Sequence, residues 1–140
     1  MNNLGGYNLV ENFIKSLNEQ PGIKVIRTSI SRNVFEYTGR TNLLLYIKGR
    51  AKQPLRWGVT ANVVQRLQSQ SKPWFVILLF ESYDKGYFLT QYDVENYMHN
   101  TWPFAKDGDY KPAPGSYLSC MQPLYSLHCF IDSFEKIKVT

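Results

Sequence analysis

The chain has 140 residues, of which 44% are hydrophobic, 15% aromatic and 19% charged, a size and balance that suit one compact domain with a full core rather than two. Its 16 Lys and Arg against 11 Asp and Glu give a formal net charge of +5, an excess that favours polyanionic partners. The two cysteines, Cys120 and Cys129, lack CxxC spacing and point to neither a disulfide framework nor a zinc site, which fits a reducing, cytoplasmic setting, and no run has the length to cross a membrane or the pattern of a signal peptide.

In chain order, Val10, Phe13, Ile14 and Leu17 recur at helical spacing after Gly5-Gly6, predicting a first helix over about residues 7–19 that Pro21-Gly22 stops. Glu11 lies beside that apolar stripe, placed either to reach inward toward a sheet or to serve as a solvated first-turn acid. Residues 23–30 alternate apolar and polar with a phase change, predicting a strand with a bulge. Two further strands, near residues 33–38 and 43–49, flank the polar loop Thr38-Gly39-Arg40-Thr41-Asn42 as a hairpin. The second of them ends in Tyr46-Ile47-Lys48-Gly49-Arg50, where the two-residue period puts Lys48 on the same face as Tyr46.

The loop over 51–58 carries Lys52, Arg56 and Trp57. Arg50, Lys52 and Arg56 suit phosphate, and Trp57 either stacks on a base or anchors the loop to the core. Thr60 is placed to cap a second helix with the stripe Val63, Val64 and Leu67, ending near Ser71. Trp74 to Phe80 is the most hydrophobic stretch and predicts a strand buried on both faces, followed by a turn and a short paired strand over 87–89. Thr90 and Asp93 match a capping box for a third helix to about His99.

From Asn100 to Pro123, proline, glycine and charge alternate too densely for long regular elements. Asp107-Gly-Asp109 holds two carboxylates but lacks the rest of a calcium loop. Leu127, Phe130, Ile131, Phe134 and Ile137 mark a C-terminal amphipathic helix. His99 and His128 have no ligand partners at metal spacing, which points to surface or packing histidines.

This order predicts a single α/β domain over 1–140 with a mixed central sheet flanked by helices, because the helix between the strand at 43–49 and that at 74–80 makes those two parallel. The run Asn33 to Arg50, followed by a helix and a hydrophobic strand, resembles the core of the PD-(D/E)XK nucleases, the restriction-endonuclease-like superfamily that includes archaeal Holliday-junction resolvases. The resemblance spans roughly residues 7–98, leaving 99–140 as a loop-rich extension with a helix. It implies magnesium-dependent chemistry on DNA, with Lys48 as the motif lysine and Glu11 as the helix-one glutamate. Tyr46 stands where the family has an acid or glutamine, and Arg32 and Asn33 stand near its aspartate. Glu36 is then the nearest substitute, so the implied catalytic set is Lys48, Glu36 and Glu11, with Glu36 and Glu11 on the metal. Three functions follow: a DNA- or RNA-binding protein with weakened or lost phosphodiesterase activity, an active endonuclease with a migrated acid, or an assembly protein using its aromatic C-terminal region, as in a homodimer.

Overall fold

The computed structural model describes residues 5–115, 118 and 122–136. Cys120 and Ile137 lie outside them. The described chain runs α1 (Gly5–Asn18), β1 (Lys24–Arg27), β2 (Val34–Thr38), β3 (Asn42–Arg50), β4 (Val59–Thr60), α2 (Ala61–Gln68), β5 (Trp74–Phe80), β6 (Gly86–Thr90), α3 (Gln91–Asn100), β7 (Asp109–Tyr110) and α4 (Leu127–Glu135). Five strands form one sheet in the order β1-β2-β3-β5-β6. The β3–β5 pair is parallel and the other three neighbours are antiparallel, so the expected single-domain mixed α/β architecture is present. Among the described residues no helix is long and apolar enough to cross a membrane.

The two-residue period of the central strands splits their side chains between two cores. Leu43, Leu45 and Ile47 of β3 and Phe75, Ile77 and Leu79 of β5 pack against Phe13 and Leu17 of α1 and Phe130 and Phe134 of α4. Leu44 and Tyr46 of β3 and Val76 and Leu78 of β5 face the other way, against Val64 and Leu67 of α2 and Val94 and Tyr97 of α3. Both strands are therefore covered on each side, which is why they read as continuous apolar runs. Trp102 and Leu118 enter one core and Phe130 and Phe134 the other, so the segment after residue 98 is part of the same packing rather than an appendage.

The structure departs from the sequence expectation at three places. First, β1 is four residues long and Ile26 is 49% exposed. As the sheet's edge it buries only Val25, and the Thr28 hydroxyl ends it by donating to the Val34 carbonyl (2.9 Å) and accepting from the Ile30 amide (3.2 Å). Second, Thr60 precedes α2 as expected but its side chain makes no capping bond; its backbone is paired in β4, opposite Asp109. By contrast the Thr90–Asp93 capping box forms in full. Third, β4 and β7 make a second, two-stranded sheet that nothing in the local sequence announces. It ties the basic loop to the proline-rich loop, reinforced by the Trp57 amide donating to the Pro112 carbonyl (3.0 Å) and the Ala61 amide donating to the Gly108 carbonyl (3.1 Å).

Candidate functional site

The site grows from the uneven lengths of β2 and β3. Their pairing ends at Val34 opposite Tyr46, so β3 continues past its neighbour and carries Lys48 beyond the start of β2. There Asn33 straps the strand on both sides of its peptide. Its carbonyl accepts from the Ile47 amide (2.9 Å) and its side-chain amide donates to the Ile47 carbonyl (2.9 Å). The start of α1 comes down on the end of β3 at Gly6 and Gly49. A Cβ on Gly6 would lie 2.4 Å from the Gly49 carbonyl oxygen, and one on Gly49 would lie 2.3 Å from the Gly6 oxygen, so no side chain fits at either position.

These elements enclose a cleft of about 320 Å³ whose polar wall is Glu11, Arg27, Arg32, Asn33 and Lys48, with Tyr7 at its side. Glu11 is held by Arg27 (2.6 Å), and the same arginine donates through Nε to the Arg32 carbonyl (3.0 Å). Among the described residues neither Arg32 nor Lys48 forms an ion pair. Burial holds the Lys48 ammonium below the usual lysine range, opposed by Asp109 and assisted by the like charges of Arg32 and Lys111. Burial likewise raises the Tyr46 phenol, opposed by the Thr60 amide that donates to its oxygen (3.0 Å), so Tyr46 stays neutral. The cleft thus gathers three cations and one carboxylate, and that carboxylate already serves one of the cations.

Of the residues expected from sequence, Lys48 and Glu11 share this cleft. Glu36 does not. It stands opposite Leu44, four residues before Lys48 on β3 and so roughly 13 Å along the strand, and its carboxylate pairs with Lys72. The expected joint site of Glu36 with Lys48 is corrected by that register. Trp57 is corrected as a base-stacking residue: it is 2% exposed, its indole N–H donates to the Leu79 carbonyl (2.9 Å), and its ring packs edge-on against Phe80 and Tyr87. It is the loop's anchor in the core. Arg50, Lys52 and Arg56 are exposed, and Arg50 and Lys52 line a shallow depression that shares Gly6 and Gly49 with the cleft. Arg56 borders neither. His99 and His128 are exposed, as expected of surface histidines.

Tyr7 and Arg27 escaped the sequence reading, and so did the charges that β7 brings toward Lys48. The signal for Tyr7 was its spacing of four from Glu11, which puts both on one helix face. Asp109 and Lys111 gave no such signal, because only the β4–β7 pairing carries them there.

A magnesium ion held by few protein ligands needs carboxylate oxygens. The cleft offers Glu11 alone, engaged by Arg27, and among the described residues no group of three or more His, Cys, Asp or Glu is placed to hold a metal. Asp107 and Asp109 both lie against Lys111 (2.7 and 3.6 Å), so both carboxylates are turned to that ammonium. The donor set does not fit magnesium. No family model matches the chain, and no curated protein matches it in sequence.

Proposed function

We propose that this chain binds nucleic acid by its phosphates, in the cleft at the end of β3, and does not cut it. The observation that carries this is the gathering of Arg27, Arg32 and Lys48 around a single carboxylate that is already paired. A lysine held partly out of water, with no ion pair among the described residues and only Asp109 acting on it from a distance, gains from an anion, because the anion restores the stabilisation that burial removed. Arg50 and Lys52 extend the positive surface past Gly49. The order of helix, strands and crossover helix, with Lys48 at the strand end, supports a PD-(D/E)XK-like scaffold. The residues at the family's acid positions, Tyr46 and Asn33, are neutral and engaged in hydrogen bonds with the chain itself. Without a second carboxylate the metal route to phosphodiester hydrolysis has no support, which leaves binding.

The test is a fluorescence titration of labelled nucleic acid at two ionic strengths. With about three phosphate contacts, from Arg32, Lys48 and the Arg50–Lys52 surface, a fourfold rise in salt should weaken duplex binding roughly 40-fold. Lys48→Ala should lower affinity and reduce the slope against log salt by about one. Absence of binding at low salt would favour the assembly role of the aromatic C-terminal region. Magnesium-dependent nicking by wild type, lost in Lys48→Ala, would restore the active endonuclease.

A further inference from the structure

We infer that the cleft takes an unpaired nucleotide, its phosphate against Arg32 and Lys48 and its base stacked on Tyr7. This rests on the nucleic-acid reading and narrows it to single-stranded or locally opened substrate.

Three features of the cleft carry it. Tyr7 is 55% exposed and lines the same cleft as the cations, so its side chain is open to solvent beside them rather than buried in the core. At about 320 Å³ the cleft lies at the small end of sites that hold a single compact ligand, far too small to enclose a double helix. Its walls are also rigid in the places that matter: Gly6 and Gly49 touch backbone to backbone, and Asn33 straps Ile47 on both sides. In a duplex each base is covered by its neighbours on both faces and has none to offer a tyrosine, whereas an unpaired base has an open π-face. Stacking on an aromatic side chain with the backbone in a positive groove is the usual way single strands are held. Arg27 belongs to the frame, since it is occupied by Glu11 and by the Arg32 carbonyl.

The chemistry is shared by DNA and RNA, so labelled oligodeoxyuridylate and oligouridylate, which differ only in the sugar, are compared with a duplex of equal length, using wild type, Tyr7→Ala, Tyr7→Phe and Lys48→Ala. Wild type should bind a single strand more tightly than the duplex at the same salt, and whichever sugar binds more tightly identifies the natural strand. Tyr7→Ala should weaken single-strand binding by roughly 5- to 160-fold with an unchanged salt slope, because it removes a stacking partner and no charge. Tyr7→Phe, which keeps the ring, should bind like wild type. Lys48→Ala should weaken binding of all three probes and flatten their slopes. If Tyr7→Ala binds single strands as wild type does while Lys48→Ala is impaired, the nucleotide inference falls and phosphate binding stands. If no probe binds at low salt, both fall. A melting curve for Tyr7→Ala that matches wild type excludes unfolding as the cause, as expected for an exposed ring.

Discussion

The two faces of the central sheet are built by different rules. Against α1 and α4 the contacts are almost purely apolar: Phe13 meets Phe130 edge-on at 5.1 Å between ring centres, and Tyr37 meets Phe134 at 4.9 Å. The polar tip there, the Tyr37 hydroxyl, donates to Glu135 (2.5 Å), and burial together with that carboxylate raises its pKa. Against α2 and α3 the large side chains carry polar tips that reach backbone, with the Trp57 indole on Leu79 and the Tyr46 phenol on Thr60. The first face closes by packing and fixes the fold. The second is tethered by directional bonds to loops, and those loops bring Asp109 and Lys111 into the electrostatic surroundings of Lys48.

The contrast can be broken in several ways, in decreasing order of expected effect. Phe13→Ala should cost about 3–5 kcal/mol in denaturant titration, because Phe13 is fully buried against α4 and its loss leaves a cavity. A cost below about 1 kcal/mol would mean that this face does not carry the fold. Trp57→Phe keeps most of the ring volume but deprives the Leu79 carbonyl of its indole donor, for a loss of about 1–3 kcal/mol. An unchanged stability would show that the tether is dispensable.

Lys48→Met should weaken nucleic-acid binding while slightly raising stability near neutral pH. The sign follows from the lowered pKa: the fold disfavours the charged lysine, so this residue costs stability at pH values below its folded pKa, and that cost disappears as pH rises toward the unfolded value. Thermal melts of wild type and variant should therefore converge at alkaline pH, and a variant less stable than wild type at neutral pH would overturn the assignment. For the same reason wild-type binding should decline on the alkaline side at a pH lower than an ordinary lysine would set. Glu36→Gln should change least. Its pair with Lys72 is partly exposed, so stability should move by less than about 1 kcal/mol, and binding should not move at all. A loss of binding would return Glu36 to the site.

Elements with a strong period or an explicit cap were legible from sequence. The apolar alternation of β3 and β5, the stripe of α1 and the Thr90–Asp93 box each state their structure locally. β1 was overextended because Ile26 and Ile30 continue the apolar pattern, although Ile26 faces outward and Ile30 packs on the core from beyond the turn that Thr28 makes. The site was half legible. Lys48 and Glu11 line one cleft, since the end of β3 and the start of α1 are near neighbours in this topology. Trp57 was ambiguous, because a basic loop with one tryptophan looks alike whether the ring faces a base or the core, and only its bond to Leu79 decides. Glu36 missed because its place depends on where β2 begins: the strand starts at Val34, and the register then carries Glu36 away from Lys48 toward Lys72. Asp109 and Lys111 depend on a pairing between segments about fifty residues apart, which no local pattern encodes.

The contact between Gly6 and Gly49 bears on how this protein can vary over evolutionary time. Because each glycine's missing side chain is space taken by the other's carbonyl, neither position can accept alanine unless α1 lifts away from β3. Such a lift would move Tyr7, one residue along, away from Lys48, one residue before Gly49. Two residues with no chemistry of their own thus set the spacing between ring and ammonium. In a set of related sequences they should be the slowest to change, while the cations around them could exchange Lys for Arg or shift by a turn and still hold a phosphate.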